Sequence, residues 1–233
     1  MRGRLLVGGV VTVLIGAAVV LTTIFVLRAT ALNQPLLRAR VAGTIVTPQG
    51  RLPHAFLNLQ TWPDSLAGEH GASGGDHPGW VSYGPSTNLW VPAHSLVTIT
   101  IKQYDSGEAL LNPFFAKVRG TVGGIARVDG KPYSVTDAEA VAHTFTLRGI
   151  PSATQPTIFV NVPLPPVADD APTNLTINGN PYAAPRVITF SFVTGAPGTY
   201  VFNCEFPCGL GYRGFAGPMS TLGYMAGNLT VGG

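Results

Sequence analysis

The two cysteines of this chain lie four positions apart near its C-terminal end, on a loop that runs from Cys204 to Cys208. Two of the three methionines, Met219 and Met225, follow on the next stretch of chain. Thiolate and thioether sulfurs are the donors that select Cu(I) in proteins. Two thiols on one short loop could equally form a disulfide, which needs Cα atoms about 4.4–6.8 Å apart. The loop therefore predicts either a copper site or a disulfide between Cys204 and Cys208.

An imidazole ligand for the same metal is available at His143, on a predicted strand well before the cysteines. No histidine follows it in the chain. His94, at the entrance of another predicted strand, could supply a second imidazole only if the fold brings it close. The candidate metal ligands are thus His143, Cys204, Cys208 and one of Met219 and Met225.

Short β-strands must position these residues. Gly (29) and Pro (20) are abundant, and only 11% of residues are charged, a composition that favours strands joined by turns over long helices. The clearest strand covers residues 95–104, where Val97, Ile99 and Ile101 alternate with polar residues. Similar signals occur at residues 41–46, 55–61, 120–128, 140–147, 157–162, 186–194, 199–202 and 228–231. About nine short strands with intervening turns predict a mainly β protein, an antiparallel β-sandwich or barrel.

Two connections, residues 65–87 and 163–184, are longer than the usual loop of about 4–6 residues and are candidate partner surfaces. The first contains the pairs Glu69-His70 and Asp76-His77, which could be metal ligands. Their spacing matches no common ligand pattern, so a solvated polar loop is the favoured interpretation.

The N-terminus predicts a membrane anchor. The uncharged run Leu5–Leu27 has 23 residues, enough to cross a hydrocarbon core of about 30 Å as a helix. A cleaved signal peptide is the alternative, since Ala29–Ala31 has the small residues of a cleavage site. We divide the chain into an anchor at 1–33, a tether at 34–40 and a domain at 41–233. We expect a single pass of the cytoplasmic membrane, with the C-terminal domain on the extracytoplasmic side.

The pattern around the cysteines resembles the cupredoxins, and most of all the CuA domain of cytochrome c oxidase subunit II. The resemblance is carried by the histidine-containing segment His143–Phe145, the Pro-Gly-x-Tyr approach at Pro197–Tyr200, and the two cysteines with three residues between them. Gly209 matches the glycine that follows the second cysteine. Subunit II also carries an N-terminal anchor, usually of two helices, before its extracytoplasmic β-domain.

That resemblance implies an antiparallel Greek-key β-sandwich of the cupredoxin type, with copper as cofactor. It implies His143 as the imidazole ligand, both cysteines as bridging thiolates, and a backbone carbonyl ligand at Phe206, where the family has Glu. The ligand set is degenerate, because Tyr212 and Phe215 stand where the family has its second histidine and its methionine. Met219 or Met225 could then supply the thioether.

The expected function is copper binding, in electron transfer or in copper handling near a respiratory oxidase or cytochrome. The alternative is a metal-free accessory domain held by a Cys204–Cys208 disulfide. No basic cluster with interleaved aromatic residues indicates a nucleic-acid partner. Nucleophile-elbow, P-loop and His-Glu-x-x-His motifs are absent from the sequence, so we do not expect an enzyme in its own right.

Overall fold

The computed structural model describes residues 2–30, 34–48, 50–63, 80–107, 111–149, 155–177, 179–208 and 217–233. The chain divides into two compact units, one containing the N-terminal helix α1 (Arg2–Thr30) and the other containing the strands. In the part of the chain that is described, no helix combines the length and the hydropathy that a membrane crossing requires.

The second unit is built almost entirely of short strands. In chain order they are β1 (Leu36–Arg38), β2 (Arg40–Thr47), β3 (Gly50–Trp62), β4 (Ser82–Gly84), β5 (Asn88–Pro92), β6 (Leu96–Gln103), β7 (Ala126–Val128), β8 (Lys131–Tyr133), β9 (His143–Arg148), β10 (Phe159–Leu164), β11 (Leu175–Ile177), β12 (Asn180–Tyr182), β13 (Arg186–Val193), β14 (Gly198–Asn203) and β15 (Ala226–Gly232). A 3₁₀ turn covers Val122–Gly124, and one short helix, α2, covers Gly217–Ser220.

These strands form two sheets. The first has the order β1-β5-β15-β14-β9-β10; the second has the order β2-β3-β6-β13-β7-β8, with β4 paired to β3. Strands β11 and β12 form a separate hairpin. Apolar residues of both sheets belong to one core, and Phe145 on β9 lies 5.4 Å from Phe190 on β13 between ring centroids. The protein is therefore mainly β, with two sheets packed as a sandwich around one core.

The sheets are mixed, which corrects the prediction of an antiparallel sandwich. Strand β5 pairs in parallel with β1 and with β15, and β3 pairs in parallel with β6 along eight residues from His54↔Leu96 to Thr61↔Gln103. Alternation of apolar and polar residues shows which face of a strand is buried. It does not show the direction of the neighbouring strand, so the parallel pairs could not be predicted.

Each of the nine predicted strand regions contains a strand, with shifted ends. The largest difference is at residues 120–128, where only β7 is extended and the 3₁₀ turn precedes it. The hairpin predicted at Asp129–Gly130 is present, and both residues have positive φ, 51° and 81°.

The stretch 34–40, which we expected to be a tether, is part of the fold. It contains β1, and the buried Ala39 donates its N–H to the carbonyl of Trp90 at 2.8 Å. Strands β4, β5, β11 and β12 likewise lie in or beside connections that we expected to be long loops. Strands of three to five residues are too short to display a periodicity, and this explains why all of them were missed.

Candidate metal centre

Strand register brings the cysteine loop to His143. Strands β14 and β9 are antiparallel neighbours, with Asn203 opposite Thr146. The chain leaves β14 at Cys204, at the same end of the sheet at which β9 begins with His143. Residues that are far apart in sequence therefore meet because one strand ends where its neighbour starts.

Three soft or borderline donor atoms converge there. His143 Nδ1 lies 3.3 Å from Cys208 Sγ and 3.8 Å from Cys204 Sγ, and the two sulfurs are 3.2 Å apart. All three ligand atoms lie within 4.8 Å of one another. The residues are 2%, 2% and 0% exposed, in that order, so the group is enclosed by protein. Both cysteines are free thiols.

A backbone carbonyl completes the group. The carbonyl oxygen of Phe206 lies 3.1 Å from Cys204 Sγ and 3.0 Å from Cys208 Sγ, and the Phe206 side chain is buried in the core. This is the position at which the sequence predicted a carbonyl ligand. The loop thus places one oxygen and two sulfurs on the same side as the imidazole.

The other sheet supplies the partner of the imidazole. Asp105 follows β6, and its Oδ2 lies 2.7 Å from His143 Nε2. Its side chain is 16% exposed. When the ring is neutral, as it must be to bind a metal, a carboxylate here accepts the Nε2–H of His143 and leaves the Nδ1 lone pair facing the sulfurs. Metal-binding histidines are commonly oriented by such a partner.

Gly107 allows the loop that carries Asp105 to lie against β9. Its φ is +68°, and a Cβ at this position would come within 2.5 Å of the Ala142 backbone, next to His143. The same loop is fixed by Gln103, whose Nε2 donates to the Asp105 carbonyl at 3.0 Å. The N–H of Val167 donates to that carbonyl as well, at 3.1 Å. Asp105 is therefore held before any ligand arrives.

The ionisable groups of the site shift one another's pKa values. Burial opposes the charged form of His143, but the hydrogen bonds to Asp105 and Cys204 prevail and raise its pKa from 6.5 to about 9. Burial also opposes the Cys204 thiolate, and hydrogen bonds from Cys208 and His143 nevertheless hold its pKa well below the usual value. The hydrogen bond between the two thiol groups, followed by burial, raises the pKa of Cys208. Without metal, the set at neutral pH is an imidazolium beside one thiolate, one thiol and one carboxylate.

Backbone and hydroxyl groups fix the thiolate. The N–H of Thr144 donates to Cys204 Sγ at 3.4 Å, and Thr144 Oγ1 accepts the N–H of Glu205 at 2.8 Å. The buried Tyr83 donates its hydroxyl to the Thr144 carbonyl at 2.9 Å. Burial, followed by the charges of Cys204 and Cys208, raises the pKa of Tyr83 well above its usual value. It therefore stays a neutral donor beside the thiolate.

The two methionines lie on segments that are tied to Cys204. Met225 is fully buried; its carbonyl accepts the N–H of Cys204 at 2.9 Å and its N–H donates to the Pro218 carbonyl at 3.1 Å. Met219 lies on α2 and packs, half-buried, against the core. The choice between them as a thioether ligand stays a prediction.

Several residues singled out in the sequence do not join the group. His94 is exposed at the turn between β5 and β6, with φ 48°, and donates its N–H to the Gly195 carbonyl. His94 therefore supplies no second imidazole. The pairs Glu69-His70 and Asp76-His77 lie outside the described residues, as do Gly209, Tyr212 and Phe215.

Asp105 is the residue that sequence reasoning missed. It stands in a Tyr-Asp-Ser-Gly turn after the clearest strand, where an acidic residue is also common for turn formation alone. The only available signal was that this turn ends a strand. Its contact with His143 depends on how the two sheets face each other, which one sequence does not show.

The donor set fits a copper ion. It offers two thiol sulfurs, one imidazole nitrogen with a fixed partner and one carbonyl oxygen, in a buried site. Thiolate and imidazole bind copper more strongly than they bind harder cations such as magnesium or calcium. Zinc accepts the same donors, so the chemistry of the set alone selects a soft or borderline metal.

No family model matches the chain, and no curated protein matches it either. Among solved structures it is similar to auracyanin B, at 16% identity and a TM-score of 0.32, over 83% of this chain and 96% of that chain. It is also similar to rusticyanin from Thiobacillus ferrooxidans, at 14% identity and a TM-score of 0.34, over 86% of this chain and 99% of that chain. A single-residue variant of rusticyanin gives 15% identity and a TM-score of 0.37, over 87% and 85%. Rusticyanin is a copper protein. The likeness is remote by both measures, and the chemistry below rests on this chain's own atoms.

Proposed function

We propose that this chain is a cupredoxin-like protein that binds copper through His143 Nδ1 and the sulfurs of Cys204 and Cys208. One observation carries the proposal: these three donor atoms lie within 4.8 Å of one another in a buried pocket. The sequence resemblance to the CuA domain and the Phe206 carbonyl beside both sulfurs support it.

The chain's own residues prepare this site. Asp105 holds the imidazole with Nδ1 toward the sulfurs, and the Thr144 N–H directs Cys204 Sγ. Burial keeps water away from all three donors. A copper ion held there would supply a one-electron Cu(II)/Cu(I) couple. Because hydrogen bonds already fix the ligands, little rearrangement is needed between the two redox states, which suits electron transfer.

Copper handling is the second role that the site supports. The described residues contain a single imidazole at the centre, and two sulfurs favour Cu(I) over Cu(II). A site of this kind holds Cu(I) and could deliver it to another protein.

We extend the proposal to a location on the extracytoplasmic face of the cytoplasmic membrane, near a respiratory oxidase or cytochrome. The support for this part is the uncharged N-terminal run and the resemblance to subunit II.

A metal-free, disulfide-held accessory domain is the remaining candidate. The observation that favours it is the 3.2 Å separation of the two sulfurs, which leaves only a small movement for oxidation. A cysteine hydrolase, which uses a similar thiol–imidazole–carboxylate order, is disfavoured because the two cysteines are 0% and 2% exposed.

The test is copper reconstitution of the purified full chain after reduction, with metal content and visible absorption measured together. Electron transfer predicts about one or two copper ions per chain and strong thiolate-to-Cu(II) bands. Copper handling predicts the same binding of Cu(I) without colour. A Cys204→Ser/Cys208→Ser double variant should lose both signals.

Two results would count against copper. If the reduced chain binds no copper and its thiols react freely, the site is not a metal centre. If the isolated chain has thiols that react only after reduction, and it still takes up no copper, the disulfide-held accessory domain is correct.

A further inference from the structure

A second site lies on the outer face of the seven-stranded sheet, away from the cysteines. The chain crosses there from β1 to β2 around the buried Ala39, and a groove of about 550 Å³ opens beside the crossing. Three cationic and three polar side chains line it: Arg38, Arg40, Lys102, Asn58, Gln60 and Thr100.

The register of the sheet explains why these polar residues face the groove. Strands β3 and β6 are parallel, with Asn58 opposite Thr100 and Gln60 opposite Lys102. Residues two apart on a strand share a face, and the intervening Leu57 and Leu59 are buried in the core. Asn58, Gln60, Thr100 and Lys102 are therefore neighbours on the outward face.

The cations of the groove have no carboxylate partner among the described residues. The ion pairs of the described residues all lie outside the groove. They join Asp105 to His143, Glu205 to Arg148 and Asp129 to Arg186. Three like charges in one concave surface repel one another unless a ligand neutralises them. Within the described part of the chain, the groove thus carries three cations and no carboxylate that neutralises them.

Two aromatic rings hold the guanidinium groups in place. The Arg38 guanidinium carbon lies 4.8 Å from the centroid of Trp90, and that of Arg40 lies 5.7 Å from the centroid of Phe56. Stacking of this kind limits the rotamers of a long side chain before a ligand binds. Both guanidinium groups are therefore restrained at the edge of the groove.

We propose that this groove binds a phosphate-bearing anion, either a soluble phosphate compound or the headgroup of a phospholipid. A phosphate monoester carries nearly two negative charges and three acceptor oxygens, and a phospholipid phosphodiester carries one charge and two free oxygens, so either can accept hydrogen bonds from more than one cation. Arginine donates two parallel N–H bonds to phosphate, and the amides of Asn58 and Gln60 and the hydroxyl of Thr100 supply neutral donors. The volume lies within the range of about 300–1,000 Å³ typical of ligand sites. The proposal does not depend on the metal centre.

Inorganic pyrophosphate is the probe for the soluble source, with the full chain in a non-ionic detergent and binding followed by calorimetry. The test variant is Arg40→Gln/Lys102→Gln. The matched control is Arg127→Gln/Lys131→Gln, which removes one exposed arginine and one exposed lysine from the β7–β8 hairpin of the same sheet. We expect the test variant to lose at least about tenfold in affinity and the control to lose less than about twofold. Acetate, with one charge, should not compete.

Vesicles are the probe for the lipid source. The full chain and both variants are sedimented with vesicles of phosphatidylcholine alone and of phosphatidylcholine with phosphatidylglycerol. All three proteins carry the same N-terminal helix, so its contribution to sedimentation cancels. A gain on the anionic vesicles that only the test variant loses assigns the groove to a headgroup. Pyrophosphate binding without that gain assigns it to a soluble compound.

The proposal is overturned if neither probe binds. It is also overturned if the control variant loses as much affinity as the test variant, because binding would then reflect net charge alone. Circular dichroism of each variant shows whether a loss comes from misfolding. If the double variant is unfolded, the single change Lys102→Gln replaces it, since Lys102 is exposed and contributes no core packing.

Discussion

The buried cluster of Asp105, His143, Cys204 and Cys208 can be compared with a polar strip on the outer face of the other sheet. In the strip, His54 Nε2 lies 2.8 Å from Thr98 Oγ1, which lies 2.8 Å from Ser191 Oγ. Both regions place a strand histidine in a hydrogen-bond chain. The strip is half-buried and its other members are neutral hydroxyls.

The difference lies in burial and charge. In the cluster His143 and both cysteines are almost fully buried, so their charged forms depend on neighbouring charges and hydrogen bonds and not on water. In the strip water can replace any member. A hydrogen-bonded histidine therefore indicates a functional site only where its partners are also charged or metal-binding and water is excluded.

The largest expected effect comes from removing each histidine in turn. His143→Ala should weaken copper binding at least about 100-fold, because it deletes one of the three donor atoms and leaves two buried sulfurs without their cationic neighbour. His54→Ala should change the copper affinity by less than about twofold. Competition with a chromophoric Cu(I) chelator measures both. Equal effects of the two changes would contradict the assignment of His143 as ligand.

The second effect concerns the carboxylate that orients His143. Asp105→Asn should weaken copper binding by about 10–100-fold, since an amide no longer requires the Nε2–H tautomer. Asp129→Asn is the matched control, because Asp129 lies 2.6 Å from Arg186 in an exposed ion pair. Nitrogen NMR shifts of the His143 ring in the metal-free protein, recorded above about pH 9 where the ring is neutral, provide a readout that does not involve copper. Unchanged shifts in Asp105→Asn would show that Asp105 does not set the tautomer.

The third effect is on stability and compares two threonines. Thr144 is fully buried and its hydroxyl accepts the Glu205 N–H, so Thr144→Val removes an acceptor on which a backbone donor depends. We expect a loss of about 1–3 kcal/mol in the free energy of unfolding. Thr98→Val in the strip should cost less than about 1 kcal/mol, because water can reach its partners. Urea unfolding of the metal-free, reduced protein measures both, and a larger loss for Thr98→Val would reverse the comparison.

The sequence predicted the regular parts of both regions for a physical reason. Alternation in Val97, Ile99 and Ile101 reports a strand with one buried face, and that strand carries Thr98 of the strip and ends just before Asp105. The donors of the cluster were also predictable, because His143, Cys204 and Cys208 are rare residue types with few other uses in one small domain.

The rest depends on contacts between sheets. Asp105 meets His143 only because β6 ends on the side of the sandwich where β9 begins, and no local pattern encodes that. The groove depends on β1, whose three residues display no period and whose pairing with β5 is parallel. Asp105 was therefore missed, while His143, Cys204 and Cys208, which the structure brings together, had been singled out by residue type.

The last prediction concerns the charge pair inside the cluster, for which the strip has no counterpart. The raised pKa of His143 adds stability that is complete below the usual pKa of 6.5 and is lost as the pH rises through about 9. The lowered pKa of Cys204 adds stability that is complete above the usual pKa of 9.0 and is lost as the pH falls through its folded pKa. Between about 6.5 and 9 these trends cancel, because folding only moves one proton from Cys204 to His143.

Urea unfolding of the metal-free, reduced protein should therefore show a flat stability between those two pH values. Below about 6.5 the unfolded chain gains a proton on His143 that the folded protein already holds, so stability should fall by up to about 1.4 kcal/mol per pH unit. Above about 9 stability should fall again, because the raised pKa of Cys208 keeps its thiol protonated only in the folded state. Cys204→Ser should flatten the acid side, since it removes the proton that the unfolded chain holds on Cys204 and the folded protein does not. Ser191→Ala in the strip should leave that slope in place. A slope that persists in Cys204→Ser would mean that other groups, and not this pair, set the acid stability.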